Sequence, residues 1–314
     1  MAGIKVTDIA YGRMRAPDLD EAEAFLTAFG MVRSDRTGDA LYMRGTDSAH
    51  HLYVAELGAP RFVGCAFYAA SEEDLHKIAR ADGASAVESI DEPSGGKRVR
   101  LRDPLGYQIE IVYGIQRPPP LRLRRQLLNY GAERYRRAGE LMRLEKGPAH
   151  VKRMGHMVLM STDLRKTVQW YRDTLGFLCS DDVYAEREDN LVGSFNRCDR
   201  GDDYVDHHVF FCIQGAKQGL NHLSFEVADI DDVMLGHEHL KHQGYRHAWG
   251  IGRHRLGSQV YDYWYDPWGR CHEHWTDTDV LNARAKPNLA RAMIDTASQW
   301  GEQAPQEFRE TATP

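Results

Sequence analysis

The chain has 314 residues, of which 42% are hydrophobic and 27% are charged, so it can bury a large core and is neither a disordered nor a fibrous chain. Its net charge of −6 disfavours nucleic acid as a partner. The amino-terminal segment has no apolar stretch of signal-peptide length, and no segment reaches the ~18 apolar residues of a membrane span, so no membrane association is predicted.

The cysteine and histidine contents indicate a compartment and a chemistry. The five cysteines, at positions 65, 179, 198, 212 and 271, form no CxxC pair and are odd in number. Such a set predicts neither a disulfide framework nor a cysteine zinc site, and it favours the reducing cytoplasm. Most of the 15 histidines follow residue 149, which indicates that the chemistry lies in the second half of the chain.

The first predicted helix lies near the amino terminus and has a counterpart in the second half. Residues 16–31 read APDLDEAEAFLTAFGM, and residues 161–177 read STDLRKTVQWYRDTLGF. Each segment has an Asp at the helix start, apolar residues at helical spacing and a Gly just past the end. Asp18 therefore corresponds to Asp163, at an offset of 145 residues, which indicates a duplicated fold.

A polar turn also recurs between two β-rich runs. DPLGYQIEIVYG begins at Asp103, and DPWGRCHEHWTD begins at Asp266, and each of them predicts a hairpin. Within each half, the order of one strand, one helix and further strands occurs twice. We therefore predict an α+β fold of four βαβββ modules in two tandem domains.

Composition divides the chain into four segments. Three consecutive prolines end the first domain, a basic stretch with a helical pattern follows, and the carboxyl-terminal residues are polar. The predicted segments are a first module pair without a metal site (1–117), a linker with a helix (118–150), a catalytic module pair (151–280) and a polar, loosely held tail (281–314).

Three residues of the second half lie at equivalent places on predicted strands, namely His156, His222 and Glu273. Two imidazoles and one carboxylate, with open positions opposite, form the ligand set of non-haem Fe(II) oxygenases. His272 and His274 flank Glu273, and because neighbouring strand residues face opposite ways, we expect both to point away from it. In the first half the corresponding residues are Tyr11, Gly64 and Glu110, so we predict that this half keeps the fold without a metal.

Over residues 5–280 the chain resembles the type I extradiol ring-cleavage dioxygenases of the vicinal oxygen chelate superfamily. The most specific match runs from GLNHLSFEV, which contains His222, to YWYDPWGRCHE, which ends at Glu273. The resemblance implies two tandem vicinal oxygen chelate domains and an Fe(II) cofactor, with Mn(II) as the alternative metal. It also implies cleavage of a substituted catechol-type ring with dioxygen, in the catabolism of aromatic compounds, by a homo-oligomer.

The resemblance further implies three catalytic residues. The family's acid/base histidine matches the HH pair of DHHVFF, where we assign His208; only one of His207 and His208 can face the metal. His254 and Tyr263 match positions around the substrate's oxygens. Some members, including those acting on dihydroxybiphenyl, carry an Asp where this chain has Gly257. The resemblance is greater to members that act on substituted monocyclic rings.

Two other classes share this fold. One is a glyoxalase-like metal-dependent isomerase or epimerase, whose site usually includes a second carboxylate. The other is a metal-free ligand-binding protein, typically one short pair of modules without the ligands. The set of two His and one Glu and the length of the chain favour the dioxygenase. The sequence leaves open which catechol is cleaved and whether cleavage is proximal or distal.

Overall fold

The structure is a computed structural model that describes residues 3–123, 127–294 and 296–314. The first half is one mixed sheet of eight strands in the order β2-β3-β4-β1-β5-β8-β7-β6, with two helices. Its elements in chain order are β1 (Ile9–Ala16), α1 (Leu19–Ala28), β2 (Val32–Arg36), β3 (Ala40–Arg44), β4 (Tyr53–Leu57), β5 (Arg61–Tyr68), α2 (Glu72–Ile78), β6 (Glu88–Ser89), β7 (Lys97–Arg102) and β8 (Gln108–Tyr113).

The second half is a mixed sheet of ten strands in the order β19-β10-β11-β13-β9-β14-β17-β16-β15-β20, and β12 pairs separately with β18. Its elements are β9 (Val151–Ser161), α3 (Leu164–Leu175), β10 (Leu178–Tyr184), β11 (Leu191–Arg197), β12 (Val205–Asp206), β13 (Phe210–Gln214), β14 (Gly219–Val227), α4 (Ile230–His242), β15 (Arg246–His254), β16 (Val260–Tyr265), β17 (Cys271–Thr276), β18 (Val280–Leu281), β19 (Asn288–Arg291), β20 (Ser298–Trp300) and α5 (Gln306–Arg309).

The predicted α+β fold of four βαβββ modules is confirmed. The modules begin at β1, β5, β9 and β14, and in each half the two modules meet through their first strands, which pair antiparallel. The Asp residues expected at helix starts are caps: Asp18 accepts hydrogen bonds from the amides of Asp20 and Glu21, and Asp163 accepts one from Lys166. No helix among the described residues is long and apolar enough to cross a membrane.

The strand registers support the correspondence between the two halves. In the first sheet Tyr11 lies opposite Ala66, which lies opposite Glu110. In the second sheet His156 lies opposite Ser224, which lies opposite Glu273. Gly64 and His222 each precede the central residue of their row by two positions, so both face the same way as that residue. The two halves therefore share one strand framework but carry different side chains at the three equivalent positions.

No α-helix forms among the described residues of the predicted linker. In the 118–150 segment they contain one 3₁₀ turn, Gly131–Glu133, and they are mostly exposed. An isolated helix is marginal in water unless an apolar face packs against the protein, and of the described residues in this segment only Ala149 belongs to a hydrophobic core. Residues 124–126 lie outside the described residues.

The expectation of a loosely held tail (281–314) was also wrong. The strand β19 pairs with β10, and β20 pairs with β15, so the tail covers both edges of the second sheet. The α5 residue Phe308 is buried, and Thr313 forms a β-bridge with Leu220. A few apolar residues and main-chain hydrogen bonds are enough to hold a polar segment against exposed sheet edges.

The two halves share one core, and buried polar contacts cross between them. The hydroxyl of Tyr171, on α3, donates to Oδ2 of Asp103 at 2.9 Å. Nε2 of His274 lies 2.6 Å from the carbonyl oxygen of Phe29. Burial raises the pKa of Asp103 to about 6, against the opposing effect of hydrogen bonds from Tyr171 and from backbone amides.

We expect Tyr171→Phe to lower the free energy of unfolding by about 1–3 kcal/mol, because Asp103 loses a buried hydrogen bond. Urea denaturation at neutral pH measures the change. The control is Tyr135→Phe, since the Tyr135 side chain is exposed and its hydroxyl should contribute little. Equal stability of the Tyr171→Phe and wild-type proteins would contradict this account of the contact between the halves.

Candidate metal centre

Three adjacent central strands bring the predicted ligand residues together. His156 lies on β9, His222 on β14 and Glu273 on β17, and all three side chains are buried. Nε2 of His156 is 3.0 Å from Oε2 of Glu273, and Nε2 of His222 is 3.5 Å from the same oxygen. One ligand atom from each residue lies within 4.8 Å of the others. A single cation could therefore contact all three.

The flanking histidines face the other side of β17, as predicted from strand alternation. Nε2 of His272 lies 3.3 Å from the hydroxyl of Tyr53, and His274 contacts Phe29. Both contacts are with the first half of the chain. These two imidazoles therefore serve the packing between the halves.

Neighbouring polar groups orient two of the three side chains. Nδ1 of His222 donates to Oδ1 of Asn221 at 2.7 Å, which directs Nε2 toward the centre. The hydroxyl of Ser224 donates to Oε2 of Glu273 at 2.5 Å. Partners of this kind fix the tautomer and rotamer of metal ligands. The amide nitrogen of Asn221 in turn donates to the carbonyl oxygens of Phe308 and Thr311, which links the centre to the tail.

The protonation states of the centre suit a metal ion. Burial lowers the pKa of His156 to about 4, so its imidazole is neutral at pH 7. Burial raises the pKa of Glu273, but the adjacent imidazoles of His156 and His222 outweigh that effect and hold it well below its ordinary range. Metal ligation requires neutral imidazole and ionised carboxylate.

Two buried ligand atoms have no hydrogen-bond partner among the described residues. They are Nε2 of His222 and Oε1 of Glu273, and leaving such groups unpaired costs about 1–3 kcal/mol each. A cation held by His156, His222 and Glu273 would contact both residues and relieve that cost. The cluster contains one carboxylate, and two imidazoles with one carboxylate suit Fe(II) with open positions for other ligands.

Comparison with known proteins identifies the family of the chain. The sequence profile of the Glyoxalase/Bleomycin resistance protein/Dioxygenase superfamily matches residues 153–270. Metapyrocatechase 2 from Cupriavidus necator is 29% identical over 310 residues, which is 96% of this chain and 91% of that protein. The chain is a type I extradiol dioxygenase. An iron-dependent extradiol dioxygenase from Rhodococcus jostii is 26% identical over 80% of this chain and 82% of its own length.

The fold of this dioxygenase also occurs in solved structures. A substrate complex of homoprotocatechuate 2,3-dioxygenase from Brevibacterium fuscum superimposes with a TM-score of 0.81 at 17% identity. The match covers 100% of this chain and 94% of that one. The whole two-domain arrangement, including the tail, is therefore shared.

The structure distinguishes the two histidines of the HH pair. The ring of His208 lies 4.2 Å from the ring of His156, and its side chain lines the cavity beside the centre. Nε2 of His207 lies 2.5 Å from Oδ2 of Asp181, outside that cavity. His208 is thus the member of the pair that faces the centre.

The cavity beside the centre has a volume of about 270 Å³ and mainly apolar walls. His254 and Tyr263 both line it, and Nε2 of His254 is 2.8 Å from the Tyr263 hydroxyl. The tail closes one side through Met293, Phe308 and Arg309. Sequence reasoning missed these three residues, because their only signal was a few apolar residues in a polar segment.

In the first half of the dioxygenase, charged and polar groups fill the equivalent place. The hydroxyl of Tyr11 donates to Oε2 of Glu110 at 2.6 Å, and Nε of Arg13 is 3.1 Å from Oε1 of Glu110. A Cβ at Gly64 would lie 1.7 Å from the carbonyl oxygen of Gln108, so the backbone leaves no room for an imidazole there. At the equivalent positions the first half thus has Tyr11, Gly64 and Glu110, and the Glu110 carboxylate is satisfied by Arg13 and Tyr11.

The first half also keeps a counterpart of the HH pair that sequence reasoning missed. Nδ1 of His50 and Nδ1 of His51 are 3.1 Å apart, the same separation as in His207 and His208. The ring of His51 lies 4.3 Å from Tyr11, which occupies the place of His156. The signal was the dipeptide itself, in SAHHLY and DHHVFF. Both halves therefore carry this imidazole pair, whereas the two histidines at the candidate ligand positions occur only in the second half.

We expect Glu110→Gln to lower the free energy of unfolding by about 3 kcal/mol, because the buried guanidinium of Arg13 would lose a charged partner. The matched control is Glu72→Gln, since Glu72 pairs with Lys97 on the surface and exposed pairs contribute about 0–1 kcal/mol. Urea denaturation of both variants measures the difference. Similar losses of unfolding free energy in the two variants would show that the buried pair of Arg13 and Glu110 stabilises the protein no more than a surface pair does.

Proposed function

We propose that this dioxygenase holds Fe(II) between His156, His222 and Glu273 and cleaves a substituted catechol with dioxygen. The observation that carries the proposal is the convergence of three buried side chains. In the part of the chain that the structure describes, Nε2 of His222 and Oε1 of Glu273 have no hydrogen-bond partner. Bound Fe(II) would supply open positions for a chelating catecholate and for dioxygen and a path for electrons between them. Mn(II) would fit the same donors.

His208 would handle the substrate's proton. Burial lowers the pKa of His208 well below its usual range, and the neighbouring His156 and His207 add to this effect. The imidazole is therefore neutral at pH 7 and can accept a proton from a catechol hydroxyl. The resulting imidazolium would then return that proton to an oxygen of the product. General acid–base groups of this kind contribute about 10²–10⁴-fold to turnover.

Tyr263 and His254 would position the substrate's oxygens. Burial, with the nearby Glu273 carboxylate, raises the pKa of Tyr263 well above its usual value, so the phenol stays protonated and can donate a hydrogen bond. The His254 side chain is partly exposed and contacts the Tyr263 hydroxyl. A catechol entering the cavity would meet both groups as well as His208, because all three side chains line it. Holding the ring in one orientation lowers the entropic cost of the reaction.

The cavity walls favour a small ring with an apolar substituent. Val183, Val192, Phe211 and Ile213 are among the apolar residues that line the cavity. We therefore propose a monocyclic catechol with an alkyl-type substituent as the substrate class.

Two further proposals concern the setting of the enzyme. All five cysteines are free, and four of them are buried, which supports action in the reducing cytoplasm. The homo-oligomer implied by the family resemblance stays a prediction.

We expect His156→Ala, His222→Ala and Glu273→Ala each to abolish stoichiometric iron binding and ring cleavage, because each removes one of three ligands. Iron content by mass spectrometry and formation of a yellow product from catechols measure the two effects. Glu110→Gln is the position-matched control, and it should keep its iron. Full iron occupancy with normal turnover in any of the three alanine variants would refute the assignment.

We expect His208→Phe to keep its iron but to lose about 10²–10⁴-fold in kcat. His207→Phe should lose less, because His207 contacts Asp181 and not the cavity. Steady-state kinetics on purified, iron-quantified protein provides the comparison. A large loss in His207→Phe with normal turnover in His208→Phe would reverse their roles, and normal turnover in both would remove the acid–base assignment.

We expect peroxide to inactivate the enzyme and Fe(II) with ascorbate to restore it, because open coordination positions also expose ferrous iron to oxidation. Activity is measured before treatment, after peroxide and after anaerobic reactivation followed by return to air. Activity that resists both peroxide and iron chelators would favour the isomerase or the metal-free binding protein. Activity with manganese in place of iron would change only the identity of the metal.

A further inference from the structure

A second group of two histidines and one carboxylate lies on the opposite face of the catalytic sheet. His237 belongs to α4, His247 to β15 and Asp262 to β16. Asp262 directly precedes Tyr263, and successive strand side chains face opposite ways, so Asp262 points toward α4 while Tyr263 points into the cavity. None of these three residues contributes to the centre described above.

The ligand atoms of this group converge as closely as those of the catalytic centre. Nδ1 of His237 is 3.1 Å from Oδ2 of Asp262, and Nε2 of His247 is 2.8 Å from Oδ1. One ligand atom from each residue lies within 4.8 Å of the others. The two imidazole rings have centroids 4.9 Å apart and are nearly perpendicular. Both rings therefore present a nitrogen to the same carboxylate from different directions.

The carboxylate is fixed in place, whereas the two imidazoles are reachable from solvent. Asp262 is fully buried, and Nε1 of Trp264 donates to its Oδ2 at 2.5 Å. The side chains of His237 and His247 are 20% and 33% exposed. In metal sites, a neighbouring donor commonly holds a ligating carboxylate in place, and the ion needs a path to its ligands. Here the indole N–H of Trp264 holds the Asp262 carboxylate, and the two accessible imidazoles provide the path.

The donor types select a class of ion. Two imidazole nitrogens and one carboxylate oxygen suit first-row divalent ions such as Zn²⁺, Ni²⁺ and Cu²⁺. Mg²⁺ and Ca²⁺ prefer sites made mostly of oxygen. Exposure of the histidines leaves room for water to complete the coordination.

We propose that His237, His247 and Asp262 form a second metal site, which binds a first-row divalent cation such as Zn²⁺ and joins α4 to β15 and β16. These strands carry His254 and Tyr263, so the ion would brace the part of the sheet that supports one wall of the cavity. The alternative is a trio in which both imidazoles donate hydrogen bonds to the carboxylate without a metal. The two arrangements differ in whether Zn²⁺ binds.

The test is a metal count on the iron-loaded enzyme under anaerobic conditions. The protein is dialysed against ZnCl₂, and bound iron and zinc are both measured by mass spectrometry. We expect one zinc per chain in addition to the iron. Losing a residue that only hydrogen-bonds a metal ligand costs about 10–100-fold in metal affinity. His237→Ala and His247→Ala each remove a ligand itself, so each should weaken zinc binding by about 100-fold or more while the iron stays bound.

His242→Ala is the matched control, because His242 is an exposed histidine of the same helix outside the trio. It should keep the second metal, and Zn²⁺ should raise the Tm of the wild-type and His242→Ala proteins but not of His247→Ala. Zinc that binds only as iron is lost, or that stays bound in both His237→Ala and His247→Ala, would overturn the proposal. Binding of iron without any zinc would also overturn the proposal, and the three residues would then form a hydrogen-bonded trio without a metal.

Discussion

The register of three central strands determines the chemistry of this protein. Strand side chains alternate between the two faces of a sheet, so a slip of one residue in β9, β14 or β17 would send a ligand residue to the wrong face. The observed register aligns His156, Ser224 and Glu273 in one row, with His222 two residues before Ser224 on the same face. The opposite face carries His272 and His274, which pack against the first half. The candidate metal ligands and the residues that pack the two halves together thus occupy opposite sides of the same sheet.

The two halves of the duplicated fold satisfy the buried carboxylate at this position in different ways. In the second half, two buried atoms of the candidate ligand residues have no hydrogen-bond partner among the described residues, a cost that a bound cation would relieve. In the first half, Arg13 and Tyr11 satisfy the equivalent carboxylate of Glu110 from within the protein. An internal guanidinium therefore stands where the other half would hold a metal ion, and the first half contributes stability and packing.

Repetition explains how much of the fold the sequence could predict. Helix starts and Asp-Pro turns depend on a few neighbouring residues, and the chain carries each of these local signals twice. Asp18 and Asp163 mark one such pair, at an offset of 145 residues. His156 and His222 could be singled out among 15 histidines as candidate ligands because the equivalent positions of the first half carry other residues. What sequence reasoning missed depends on contacts distant in the chain. Phe308 reaches the cavity through sheet-edge pairing of the tail, and Asp262 meets His237 and His247 only once α4 packs on the sheet.

The most direct test of the account is anomalous diffraction at the iron absorption edge from crystals of the iron-loaded enzyme. The account predicts one strong peak per chain, among the side chains of His156, His222 and Glu273. It predicts none beside Glu110, where Arg13 already balances the charge. A principal iron peak elsewhere in the chain, or none in crystals of active enzyme, would contradict the central claim.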